Sequence, residues 1–311
     1  MDRCNQTGAL DFVFLGFSSE RGTNLCLFAV FLSLYLVAIV GNTLIITAIH
    51  IDPRLNTPMY FFLSNLSFLD ICYTTSVVPQ FLIHLLTNHK NISFNCCMAQ
   101  LYISLALGGT ESILLAAMAY DQYAAVCQPL HYNVIMSRRL CVQMAVASWM
   151  GGFLNSLVQT VFTMRLCFCS FSNKLNHFGC ELLAVIKVAC SDTFISEMSI
   201  LVTGVIVLQI PCIVVLYSYM YIIRAILRIH SSEGRHKAFS TCTSHLTVVT
   251  LCYGTAIFAY MRPKANISPN QNKMLTVFYA VVTPMLNPII YSLRNKEVKG
   301  ALVKAIWKTI L

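Results

Sequence analysis

The sequence predicts an all-α fold: a seven-transmembrane helix bundle followed by a short amphipathic C-terminal helix. Composition comes first. The 311-residue chain is 57% hydrophobic and only 11% charged, against roughly 25% charged in a soluble domain, and its mean hydropathy is +0.68. Second, seven apolar runs recur along it, at roughly 25–49, 58–84, 98–120, 141–164, 197–223, 239–260 and 273–292. Each is near the ~20 residues a helix needs to cross a bilayer. Third, the connections are short, which leaves little for a separate globular domain. Only helices and closed barrels satisfy their backbone hydrogen bonds in lipid. These runs are too long and too continuously apolar for barrel strands.

Residues 1–24 read as an extracellular N-terminal tail, 25–292 as the membrane domain and 293–311 as a cytoplasmic amphipathic segment. The tail lacks the basic start, short apolar core and small-residue cleavage site of a signal peptide, so the first span is expected to act as its own insertion signal. With the N-terminus outside, the inner segments hold twelve of the 21 basic residues and the outer segments nine. That is a moderate bias in the direction of the positive-inside rule. Asn5-Gln6-Thr7 is a glycosylation sequon in the exposed tail, and Asn91-Ile92-Ser93 and Asn266-Ile267-Ser268 are two more on the outer side. Asn65-Leu66-Ser67 lies inside a span and is discounted. The net charge of +9 suits anionic inner-leaflet lipid rather than nucleic acid. In the last segment Val298, Leu302, Ala305 and Ile306 fall on one helical face while Lys296, Lys299, Lys304 and Lys308 lie mainly elsewhere, the pattern of a helix resting on the membrane surface.

The fourteen cysteines divide by place. Cys72, Cys127, Cys141, Cys212, Cys242 and Cys252 sit in or near spans, where a thiol behaves as a small apolar group. Cys97, Cys169, Cys180 and Cys190 lie outside, where disulfides persist. A bridge from the top of the third span to the outer loop 165–196 would pin that loop over the bundle. Cys96 and Cys167 are further candidates, so spacing leaves the connectivity open.

Polar residues within apolar spans are costly and therefore informative. Asp70 and Glu111 are two such acids. If close, they would repel unless a proton or cation intervened, with Asn42 and Asn287 as polar neighbours. Pro288 removes a backbone donor from its helix, which gives a place where two packings could interconvert.

Several long stretches are similar to the olfactory receptor family, a branch of the rhodopsin-like G-protein-coupled receptors. They are Gly41-Asn42; Thr57 to Asp70, beginning Thr57-Pro58-Met59-Tyr60-Phe61-Phe62; Met118-Ala119-Tyr120-Asp121-Gln122-Tyr123, with Pro129-Leu130 and Tyr132 closing the run; Lys237-Ala238-Phe239-Ser240-Thr241-Cys242-Thr243-Ser244-His245-Leu246; and Pro284 to Asn295. Several ordered matches over nearly the whole chain are far more specific than any one motif.

The resemblance implies a receptor for small odorants that recruits a stimulatory olfactory-type G protein and raises cAMP. It implies pairing of Cys97 with Cys180 and of Cys169 with Cys190, and a sodium ion between Asp70 and Glu111. It places the ligand pocket among Tyr102, Ser104, Leu105, Gly108, Gly109, Ile206, Tyr253, Ala256, Ile257 and Tyr260, where Gly108 and Gly109 leave room. No acid or base stands out in that set, which favours neutral volatile ligands. Coupling falls to Asp121, Gln122 and Tyr123, with Tyr219, His245, Asn287, Pro288 and Tyr291 in the switch. Gln122 departs from the family, which has Arg there. A neutral amide cannot offer a charged fork, so coupling is expected to be weakened while folding is kept.

A transporter would show inverted repeats and broken mid-depth helices, and no internal repeat is evident. An intramembrane enzyme would need a nucleophile or metal cluster such as His-Glu-x-x-His, and the sequence has none. A coupling-impaired receptor is the remaining alternative. No cofactor beyond sodium is expected.

Overall fold

The computed structural model describes residues 11–17, 20–87, 90–169, 173–228, 231–260, 269–294, 298 and 300. Seven helices among them are long and apolar enough to cross a membrane. The first four crossings are single helices: α1 (Arg21–Ile51), α2 (Pro58–Leu86), α3 (Phe94–Cys127) and, after the short α4 (Tyr132–Ile135), α5 (Arg138–Met164). Past the small outer helix α6 (Leu182–Lys187), the fifth crossing joins α7 (Phe194–Gly204) to α8 (Ile210–Leu227) through a π turn at Val205–Gln209. The sixth is α9 (Ser232–Tyr260). The seventh joins α10 (Pro269–Val277) to α11 (Thr283–Arg294) through a second π turn, Phe278–Val282.

The spans begin where local chemistry allows it. Ser93 accepts from Cys96 N at the head of α3, and Ser137 accepts from Leu140 N at the head of α5. Pro58 opens α2, a position where its missing N–H costs nothing. The helices run a few residues beyond the apolar stretches because polar turns continue the same backbone ladder into the interface. The expected amphipathic helix over 294–311 lies almost wholly outside the described residues; Val298, which is described, is buried in the inner core. Asn5 and Asn266 also lie outside them. Asn91 is exposed.

Around α3 the bundle closes tightly. Its buried positions face several neighbours at once, from Leu101 through Leu114 and Leu115 to Ala124. Against α5 the approach is closest at Gly109 and Gly152. A Cβ on Gly109 would lie 3.2 Å from Gly152 Cα, and one on Gly152 would collide with Thr110 Oγ1 and the Ala106 carbonyl oxygen.

The composition did not foretell the strands that cap one end. β1 (Asp11–Phe14) pairs antiparallel with β2 (Asn91–Ser93), matching Phe12 to Ile92. It pairs parallel with β3 (Lys174–Leu175). Phe12 and Phe14 point inward and are buried, the period-2 alternation of a half-buried strand. So part of the expected tail is a strand, packed with Leu101, Leu166 and Leu175 in a core of its own. Past it, Gly16 adopts φ +65°, a left-handed conformation glycine takes without steric cost. Its carbonyl accepts from Lys273 Nζ at 2.6 Å.

Cys97–Cys180 and Cys169–Cys190 are disulfides, with Cα separations of 5.4 and 6.1 Å. Cys97–Cys180 fixes the outer loop to α3 over the bundle, and Cys169–Cys190 staples the loop to itself. Cys167 is also disulfide-bonded, and Cys96 is free.

In that loop His177 is buried, accepts from Gly179 N at 3.2 Å and holds Nε2 3.1 Å from Thr276 Oγ1. Burial pushes its pKa down to about 4, and the Lys273 charge adds to the effect. A histidine kept neutral binds fewer protons folded than unfolded, where it titrates near ~6.5. Its contribution is therefore complete above that value and is lost as pH falls toward 4. At pH 5 the expected loss is about 2 kcal/mol. The melting temperature of the purified protein at pH 7.5 and 5 should show it, and His177→Gln should flatten the dependence.

Candidate functional site

Three polar layers lie along α3. The outermost is a cavity of about 110 Å³. Ser104, Leu105, Gly108 and Gly109 line it from α3, the i, i+1, i+4, i+5 spacing of one helical face. Ala256 and Tyr260 line it from α9.

Four of the expected pocket residues lie elsewhere. Tyr102 turns toward α5, where its carbonyl accepts from Ser156 Oγ at 2.5 Å and its ring meets Phe153. Ile206 is 56% exposed. The π turn carries an extra residue, which shifts the side-chain phase so that Val207 and Leu208 line the cavity instead. Ile257 packs against the inner core. Tyr253 is buried below the cavity.

The sequence reading missed several walls. Asn155 and Gln159 come from α5, Thr203 from α7, Tyr73 from α2, and Tyr279 from the second π turn. Nothing in their local sequence marks them; they are found only once helix rotation is known. Glu111 also lines this cavity, and Glu181 lines an adjoining one with Tyr260 and Tyr279. Burial pushes the Glu181 carboxyl up. None of the ten residues expected from sequence is an acid, and the two acids come from outside that set: α3 turns Glu111 into the wall, and Glu181 caps α6.

Under this cavity, two hydrogen bonds tie three crossings together. Tyr253 O–H donates to the Ser112 carbonyl at 2.6 Å, and Ser112 O–H donates to the Val207 carbonyl at 2.6 Å. The π turn presents that carbonyl to α3.

The middle layer gathers Asp70, Asn42, Asn287 and Glu111. Asn287 Nδ2 donates to Asp70 Oδ2 at 2.9 Å, and Asn42 Nδ2 donates to the Pro284 carbonyl at 3.0 Å. Asp70 Oδ1, Glu111 Oε1, Asn42 Oδ1, Asn287 Oδ1 and the Tyr291 hydroxyl are buried without a partner among the described residues. Asp70 and Glu111 lie within electrostatic range of one another. Pro288 packs on Gly41, where a Cβ would stand 2.9 Å from the proline ring. The small residue thus lets α1 and α11 approach.

At the inner layer, Tyr132 O–H donates to Asp121 Oδ1 at 2.8 Å. Tyr219 O–H donates to Gln122 Oε1 at 2.7 Å and lies 2.8 Å from His245 Nδ1. Asp121, Gln122, Tyr219 and His245 are buried. Tyr123 is half-buried beside Tyr120 and Tyr221. Asp121, Gln122 and Tyr132 line an inner cavity of about 440 Å³. From Gly109 to Gln122 one helix spans about 20 Å, so both cavities share a single rigid element. Among the described residues no group of three or more histidine, cysteine or acidic side chains could hold a metal ion.

Comparison with known proteins agrees with this layout. The family described as "Olfactory receptor" matches residues 31–309. The chain is 55% identical over 305 residues to "Olfactory receptor 2F1" of Homo sapiens, covering 98% of this chain and 96% of that one. It is 54% identical over 307 residues to "Olfactory receptor-like protein OLF3" of Canis lupus familiaris, covering 99% and 95%. With "Olfactory receptor 2F2" of Homo sapiens it shares 53% over 309 residues, covering 99% and 97%. Seven apolar crossings and a match over nearly the whole length lead to one conclusion: the chain is a multi-pass membrane protein of the olfactory receptor family, a family of G-protein-coupled receptors and not enzymes.

Proposed function

We propose that this receptor binds small, neutral volatile ligands in the outer cavity and answers by recruiting a stimulatory olfactory-type G protein that raises cAMP. The observation that carries this is the continuity of α3. It forms a wall of the outer cavity at Ser104–Gly109 and of the inner cavity at Asp121–Gln122, and it is tied to the fifth and sixth crossings through Ser112. A ligand shifts the inner packing only if it binds the two packings unequally, and the Ser112 bonds lie where such a difference would be felt. The cavity is small beside the roughly 300–1,000 Å³ of drug-sized sites, which suits volatiles. A screen of neutral odorants with a cAMP readout tests this. Concentration-dependent cAMP is expected for some of them, and silence across a broad panel together with substrate flux in vesicles would favour a transporter.

The N-terminal tail would face the outside, with the receptor in the plasma membrane. β1 shares its end of the bundle with both described disulfides, and disulfides persist in oxidising compartments.

A sodium ion is assigned to the middle layer. Its unpartnered atoms are carboxylate and amide oxygens, the donor type hard cations take. Asp70, Glu111, Asn42 and Asn287 would hold it, and the ion would offset repulsion between the two acids. Sodium chloride is expected to raise the melting temperature above that in an equal concentration of a bulky organic chloride, and Asp70→Asn should abolish the difference. An equal sodium effect in both proteins would rule the site out, leaving the shared proton.

A coupling-impaired receptor is the second reading. It is favoured by Gln122, whose side chain is engaged by Tyr219 and carries no charge to offer a partner.

A further inference from the structure

Gln159 Nε2 donates to Thr203 Oγ1 at 2.6 Å, and the Thr203 hydroxyl donates to the Ser199 carbonyl at 2.9 Å. Both bonds close within the wall of the outer cavity. Ser104 Oγ and Asn155 Oδ1, on residues lining the same cavity, are buried and have no partner among the described residues. An amide oxygen can only accept, while a serine hydroxyl both accepts and donates; a ligand hydroxyl can therefore donate to Asn155 and pair with Ser104. Gly109 stands between α3 and α5 beside the Asn155 amide, and its absent side chain leaves the amide uncovered; a Cβ there would come within 3.7 Å of Asn155 Nδ2. Glu111 Oε1 also lines this cavity and is unpartnered; its carboxyl is the one shared with Asp70 in the middle layer, where the proposed sodium ion would occupy it.

We infer that the outer cavity selects small apolar molecules carrying a hydroxyl donor, read by Asn155 and Ser104. This rests on the receptor reading above and narrows its ligand class. A ligand that only accepts, such as an ether or aldehyde, displaces water from Asn155 Oδ1 and leaves that oxygen dry and unpaired, which is the costly case for a buried polar atom. A site built around a substrate hydroxyl discriminates strongly against analogues lacking it. An alcohol satisfies the acceptors and packs its chain against Leu105, Val207 and Ala256.

The test uses matched sets on one short carbon skeleton: primary alcohol, methyl ether and aldehyde. Two readouts are taken, thermal stabilisation of the purified receptor and cAMP in cells expressing the full chain. Alcohols are expected to act at concentrations at least about tenfold lower than their partners, the scale set by one lost hydrogen bond to a buried group. Asn155→Leu should erase that gap, and Asn155→Asp, which keeps an acceptor, should retain it. Should Asn155→Leu fail to reach the membrane, Asn155→Ala removes the same acceptor with a smaller side chain and gives the same reading. Equal potency within each set, an undiminished gap in the leucine variant, or no stabilisation by any alcohol overturns the inference. Stabilisation by alcohols without cAMP upholds it and instead counts against the coupling proposal.

Discussion

Replacing Gln122 with arginine is expected to raise the maximal agonist-driven cAMP response several-fold while leaving the concentration for half-maximal ligand binding unchanged. In the native chain Gln122 is buried, and its amide oxygen takes a hydrogen bond from Tyr219. Asp121 accepts from Tyr132. The inner cavity thus presents an acid and a neutral amide where a planar cation would offer fixed, charge-assisted donors. The distance to the ligand cavity, thirteen residues of helix or about 20 Å, separates the two effects, so binding measured by thermal shift should not move. The Tyr219 hydroxyl would lose its acceptor on Gln122 and keep His245 and the Cys242 carbonyl, both already within reach. No gain in cAMP from a variant present at the surface in equal amount would defeat the claim that Gln122 limits coupling.

The second large effect is structural. Gly152→Val should abolish surface expression. A Cβ at Gly152 collides with Thr110 Oγ1, with the Ala106 carbonyl, and with Thr110 N at 2.6 Å. Two of these are backbone atoms of α3 and cannot rotate away. Overpacking a close-packed site commonly costs about 1–3 kcal/mol, and here α5 would have to separate from α3 along their closest approach. Gly108→Ala serves as the matched control, since nothing lies within 4 Å of a Cβ at that position. Flow cytometry on intact cells, with the melting temperature of whatever protein is recovered, checks both. Normal surface levels of Gly152→Val would mean the helices meet differently.

The seven crossings were legible because each needs only an uninterrupted apolar stretch, and lipid enforces helix upon it. The acids at 70 and 111 were legible for the same reason: a charge in such a stretch stands out. The β1–β2–β3 cap was not, because three short strands with one inward face leave little periodicity to detect. Nor was the register of the fifth crossing. The π turn at Val205–Gln209 adds one residue to the helical phase, and that exchanges Ile206 for Val207 and Leu208 at the cavity. Asn155 and Gln159 went unnoticed because α5 also carries polar groups with purely local roles, such as Ser148 bonded to the Met144 carbonyl. Only the rotation of the helix tells the two kinds apart. Gly109 was read as making room for ligand, and the structure adds that it also admits α5.

The most direct test of a relay from outer cavity to inner face is to fill the cavity without disturbing the packing around it. Gly108 lines the cavity and has open space beside its missing side chain, so Gly108→Phe places a ring where ligand would sit. With surface expression and melting temperature matched to the native chain, the expected result is loss of the cAMP response to every agonist of the native receptor. An undiminished response at the native concentration would contradict the relay, because the signal would then start somewhere else.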